Sequence, residues 1–229
     1  MKNHPPVRLS GVILAGGESR RMGEDKAFAR VGGQFLIERV LEAVRVVTDD
    51  NIIVTNSSEK YAGFPARLAR DVYPGTGALG GIYTGLLVAK YPYSLVVACD
   101  MPFLNIGLLQ YMAGLVRGYD MVIPHLGEDK PLAEIGVAAL RHPFDRAQDT
   151  AKARDLHPLH AIYSKQCLGP IERALDRRDL RAIAFLPEIN VRLVGRREID
   201  RFDPEHRCFF NANTPEELRY ARELSERRS

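Results

Sequence analysis

A short apolar run, Val12-Ile13-Leu14-Ala15, stops abruptly at Gly16-Gly17. A run of that length bounded by glycine predicts a buried strand, and the chain repeats the device. Ile52-Ile53-Val54, Leu95-Val96-Val97-Ala98 and Met121-Val122-Ile123 are further strand candidates. Helical segments separate them. Phe35 to Val47 sets Phe35, Leu36, Val40, Leu41, Val44 and Val47 at helical spacing, and Ala78 to Lys90 and Ile106 to Val116 follow. His160 to Tyr163 and Asn190 to Val194 read as later strands, with a helix near Cys167 to Arg177 between them. The last helix has a start signal: Thr214 as N-cap, Pro215 first and Glu217 third, a capping box with proline where its missing N–H costs nothing. Strands alternating with helices predict an α/β fold with a mostly parallel sheet covered on both faces.

The 229 residues fit a single such domain, 1–229. Apolar residues at 45% and charged residues at 27% are ordinary for a globular chain and argue against a disordered one. The net charge of +3 has no basic half behind it, so no nucleic-acid partner is expected. Three scattered cysteines with no CxxC argue against a disulfide framework or structural zinc. His157 and His160 flank Pro158 and read as structural rather than metal-binding. Leu95 to Cys99 is far too short to span a bilayer, and no apolar stretch follows Met1-Lys2-Asn3-His4-Pro5-Pro6, so a cytoplasmic protein without membrane contact is expected. From about 127 to 157 the chain turns polar and carries Pro131 and Pro143. Residues 133–141 allow a strand or a short helix, and 145–155 are rich in charge and alanine. This stretch is read as an insertion, either a lid or a docking surface.

Chemistry concentrates behind the first strand, in Gly16-Gly17-Glu18-Ser19-Arg20-Arg21-Met22-Gly23-Glu24-Asp25-Lys26-Ala27. Paired glycines let the backbone turn and approach a ligand, and their N–H groups suit phosphate. Arg21 adds a planar, bidentate phosphate donor and Lys26 a compact second cation. The loop is not a P-loop, because Glu24 follows Gly23 and Ala27 follows Lys26. Asp100 stands where the Leu95–Ala98 strand would emerge, and a triphosphate there would need Mg²⁺ held by one or two carboxylates. Gly75-Thr76-Gly77-Ala78-Leu79-Gly80 matches the dinucleotide fingerprint, but Tyr73-Pro74 precedes it and no convincing strand leads into it. Asn211 and Asn213 alternate along an extended stretch, so both carboxamides face one way.

The stretch Leu14-Ala15-Gly16-Gly17-Glu18-Ser19-Arg20-Arg21-Met22-Gly23-Glu24-Asp25-Lys26-Ala27 resembles the signature of the molybdenum cofactor guanylyltransferases. Three later stretches are similar to that family in order: Asp71 to Ile82, Cys99-Asp100-Met101-Pro102-Phe103, and Phe210 to Leu218. Pro158 to Tyr163 resembles a further family segment. The resemblance spans nearly the whole chain except about 127 to 157, a segment usually shorter in the family. It implies a three-layer α/β/α Rossmann-like nucleotidyltransferase fold. It also implies transfer of GMP from GTP to the terminal phosphate of molybdopterin, with release of pyrophosphate.

The resemblance assigns Asp100 to Mg²⁺ and, with Arg21 and Lys26, to catalysis. It implies nucleotide contacts from Leu14, Ala15, Gly16, Gly17, Arg21, Lys26, Asn56, Asp71 and Asp100, and an active-site place for Asn211 and Asn213 near substrate or the metal's outer shell. GTP and molybdopterin are the implied partners, with transient contacts to cofactor-biosynthesis proteins or apo-molybdoenzymes. A cytidylyltransferase acting on the same pterin and a sugar-phosphate nucleotidyltransferase remain alternatives, as does a nucleotide-binding adaptor that hands on cofactor without catalysis. The single alanine before Gly16-Gly17 resembles the guanylyl branch.

Overall fold

The computed structural model describes residues 7–16, 26–128 and 155–226. Its centre is strand β1 (Leu9–Leu14), buried along its whole length. Parallel neighbours flank it: β4 (Asp50–Val54) on one side and β6 (Tyr93–Ala98) on the other. The short edge strand β5 (Arg67–Ala69) adds to β4. Beyond β6 come β8 (His160–Ser164), β7 (Met121–His125) and β9 (Val191–Gly195), giving the order β5-β4-β1-β6-β8-β7-β9. Only β8 runs against its neighbours, so the sheet is mostly parallel, as the alternation predicts.

Strand periodicity sends successive side chains to opposite faces. Val12, Ile52, Val54 and Val96 pack under helices α3 (Ala78–Val88) and α5 (Leu168–Asp176), by way of Leu79, Ile82, Leu86 and Ile171. Leu9, Ile13, Ile53, Leu95 and Val97 meet α1 (Leu36–Val47) and α4 (Ile106–Gly114) on the other face. A third apolar cluster joins Val31 of the hairpin β2 (Arg30–Val31) and β3 (Gln34–Phe35) to Phe103, Ala212 and the last helix, α7 (Pro215–Glu226). Two short helices, α2 (Ser58–Tyr61) and α6 (Arg196–Ile199), complete the set among the described residues. No helix among the described residues is long and apolar enough to cross a membrane.

The expected elements are present with shifted ends. The helix expected to reach Lys90 stops at Val88, because Ala89 turns extended (φ −58°, ψ 139°). The helix expected to reach Val116 stops at Gly114. The segment from Cys167 divides into a 3-10 turn, Lys165–Cys167, and α5. The capping box forms as predicted: Glu217 N donates to Thr214 Oγ1 at 3.1 Å, and Thr214 N to Glu217 Oε2 at 2.9 Å. The expectations for 133–141 and most of 145–155 fall outside the described residues.

Candidate active site

The strand order reverses direction between β1 and β6. From β1 the chain builds outward through β4 and β5, then returns to lay β6 on the other side. In open α/β sheets, ligands bind beyond the carboxyl ends of the strands at such a switch point. Here those ends are Leu14 and Ala98, paired in register. Cys99 N donates to Leu14 O at 3.1 Å, and Ala15 N to Val54 O at 2.9 Å. The Tyr61 hydroxyl donates to Ala15 O at 3.5 Å. Among the described residues the fold thus uses Ala15 N and one lone pair each of the Leu14 and Ala15 carbonyls, and leaves the second lone pair of each carbonyl. Gly16 is exposed, and among the described residues a Cβ built on it would meet only Val54 O, at 3.9 Å. Gly17 and Arg21 lie outside the described residues.

Asp100 follows two residues after β6. Its Oδ1 is buried and meets no hydrogen-bond donor among the described residues. Burial pushes its carboxyl up from the ordinary range, Lys26 pulls it down, and Glu217 adds to the rise. A buried carboxylate oxygen without a partner is costly, and a bound cation would satisfy it. Among the described residues, no three His, Cys, Asp or Glu side chains gather into a ready-made metal cage. A single carboxylate at a strand end instead fits Mg²⁺, which shares its coordination with phosphate and water.

Lys26 opens a 3-10 turn, Lys26–Phe28, whose Ala27 is buried in the α1 and α4 face. Its Nζ donates to Asn213 Oδ1 at 2.8 Å. Ala212, between the two asparagines, turns its side chain into the third apolar cluster and donates its N–H to Asp100 O at 2.9 Å. Asn211 Nδ2 donates locally to Phe209 O at 3.2 Å. Lys26, Asp100, Asn211 and Asn213 thus lie on connected backbone, as one group.

Asp71 starts the loop that leads into α3. Its Oδ1 accepts from Tyr73 N at 3.0 Å and from Thr84 Oγ1 at 2.9 Å. The glycine motif serves this loop. Gly75 and Gly77 have φ of 84° and 67°, and a Cβ on Gly80 would meet Tyr73 O at 2.8 Å. A strand, β5, does precede the motif, but residues 70–77 separate that strand from α3, so the tight βα turn of the dinucleotide fingerprint is missing. Helix α3 sits close on β1: a Cβ on Gly81 would meet Leu14 Cδ2 at 3.3 Å, and one on Gly85 would collide with the Val12 side chain. Asn56 is exposed on the turn after β4, at the same end of the sheet.

Residue types alone do not reveal Thr84 and Glu217 as parts of this site. Glu217 was visible as a helix cap, and Thr84 carries no sequence signal at all. His157 and His160 pack against the Phe209 ring, with centroids at 4.3 and 4.8 Å. Burial holds both imidazoles below their ordinary range. Cys167 is buried and its thiol pushed up to about 12, the behaviour of a core residue and not of a nucleophile.

Residues 11–189 match the family model of the MobA-like NTP transferase domain. The molybdenum cofactor guanylyltransferase of Desulfosudis oleivorans is 34% identical over 215 residues, 93% of this chain and 94% of that one. Among solved structures, molybdopterin-guanine dinucleotide biosynthesis protein A from Archaeoglobus fulgidus aligns with a TM-score of 0.74 at 26% identity, covering 96% of this chain and 100% of that one. The 2-C-methyl-D-erythritol 4-phosphate cytidylyltransferase of Thermus thermophilus shares the fold, with a TM-score of 0.64 at 20% identity over 96% of this chain and 100% of that one. The matched stretch runs from β1 through the glycine-ended turn, the Asp71 loop and Asp100, and the chain belongs to the family of MobA-like NTP transferases.

Proposed function

We propose that the chain transfers the GMP moiety of GTP to the terminal phosphate of molybdopterin, forming the guanine dinucleotide cofactor and pyrophosphate. The observation that carries this reading is the buried Asp100 Oδ1, which meets no donor among the described residues and feels the charge of Lys26, at the switch point of the sheet. In the reaction, an oxygen of the acceptor phosphate forms a bond to the α-phosphorus of GTP. The bond from that phosphorus to the bridging oxygen breaks, and pyrophosphate leaves with the electron pair. An anionic phosphate is already a nucleophile, so no strong general base is required. The protein's work is alignment and charge neutralisation.

Asp100 would hold Mg²⁺, which supplies positive charge to the triphosphate oxygens when bound. Lys26, and Arg21 by expectation, take up charge that builds on the departing pyrophosphate. Asp71 and Asn56 are read as nucleotide contacts, and Asn211 as a contact to substrate. Molybdopterin is the acceptor on this reading, with transient protein contacts for delivery of the product in the cytoplasm. The chain is read as one nucleotidyltransferase domain.

Calorimetric titration with GTP, CTP and NAD, each with Mg²⁺, tests the reading on wild type and D100A. GTP binding that exceeds CTP binding and weakens in D100A is the expected result. A preference for CTP would move the protein to the cytidylyl reaction, and NAD binding alone would overturn the site.

A further inference from the structure

The Thr214–Glu217 pair that starts α7 has one bond more than a capping box requires. Glu217 Oε2 accepts from Thr214 N at 2.9 Å, the ordinary cap, and also from Asn213 N at 2.8 Å. The second bond reaches the residue whose carboxamide oxygen holds Lys26 Nζ at 2.8 Å. One position earlier, Ala212 is tied to Asp100 O at 2.9 Å and buried against Leu218 and Ala221 of α7. The extended stretch is therefore pinned on its inner side by Ala212 and on its outer side by Glu217, with the Asn213 side chain between these anchors. Lys26 has four flexible methylenes and only a point charge at its tip, so a fixed acceptor is what gives its ammonium a direction.

Resting on the reading of Lys26 as a polyphosphate ligand, we propose that Glu217 is a positioning residue: it holds the Asn213 backbone so that the carboxamide aims Lys26 at the polyphosphate. A pure cap would serve the helix and leave Lys26 unaffected. The two roles separate at Thr214, whose hydroxyl caps Glu217 N but touches neither Asn213 nor Lys26 in the bonds above.

Pyrophosphate with Mg²⁺ is the probe, titrated calorimetrically into the full chain. E217A weakens its binding about tenfold, the scale of one well-placed charge-assisted bond. E217D does the same, because the shorter carboxylate keeps a cap but cannot reach both amides; it also serves if E217A fails to fold. E217Q, which retains an acceptor oxygen, stays within about twofold of wild type, and so does T214A, although T214A melts earlier. In a K26A background, E217A adds nothing further. Equal weakening by T214A and E217A, an E217A effect that persists in K26A, or no pyrophosphate binding by wild type would each overturn the proposal. If the expected binding pattern appears in a chain that forms no dinucleotide, the reaction assigned above falls while the role of Glu217 stands.

Discussion

Thr84 Oγ1 donates to Asp71 Oδ1 at 2.9 Å while accepting from Val72 N at 3.0 Å, so one buried hydroxyl in α3 fixes the carboxylate of the loop before it. Thr84 is fully buried. T84V leaves Val72 N without its acceptor and frees the Asp71 rotamer, at a cost of about 1–3 kcal/mol in stability. T84S restores the bond. Denaturant unfolding and GTP titration of both variants check this: T84V weakens GTP binding and T84S recovers it.

Asp100 presents a buried oxygen that no donor among the described residues satisfies. D100N keeps the shape and removes the charge. Its expected phenotype is a loss of transfer of about 10³-fold, the scale of removing a central electrostatic contact, with an unchanged or higher melting temperature. Pyrophosphate release and thermal melting measure the two. A lower melting temperature with intact turnover would make Asp100 a structural cap.

Gly85 lets α3 approach the Val12 side chain of β1. G85A must push the helix outward, and overpacking of this kind costs about 1–3 kcal/mol. Chemical denaturation reads the loss directly. Because α3 carries the Asp71 loop at its N-terminus, GTP affinity falls with it.

His160 and His157 give the fold a pH dependence. Burial, reinforced by the neighbouring His157, pushes His160 down to about 3. Burial, against the pull of Asp155, pushes His157 down to about 4. In the unfolded chain both titrate near the ordinary 6.5. Between those values the unfolded state binds more protons, so stability falls as pH drops below about 6.5, and this pair adds no slope above it. Unfolding free energy measured from pH 4.5 to 7.5 shows the slope, and H160L flattens it. An unchanged slope in H160L would place the titration elsewhere.

The central strands were legible because β1, β4 and β6 each end in an apolar run that is buried throughout, Val12–Leu14, Ile52–Val54 and Leu95–Ala98. The edge strand β5 was not, since Arg67–Ala69 is three residues long with a single large apolar side chain. The hairpin around Gly32-Gly33, with φ of 57° and 82°, carried a turn signal that its two-residue strands were too short to reinforce. Asp100 was readable from its place at a strand end. The bond that ties Lys26 to the stretch beside it was not, because Lys26 and Asn213 are 187 residues apart. Glu217 was half legible: sequence spacing shows the cap, and only the folded backbone shows that the same oxygen reaches Asn213.

The most direct test is pyrophosphate release by the wild-type chain with Mg²⁺ and molybdopterin, with GTP and CTP offered separately. The account predicts release with GTP that requires molybdopterin and is lost in D100N. Release with CTP in preference to GTP, or GTP turnover indifferent to molybdopterin, would contradict it.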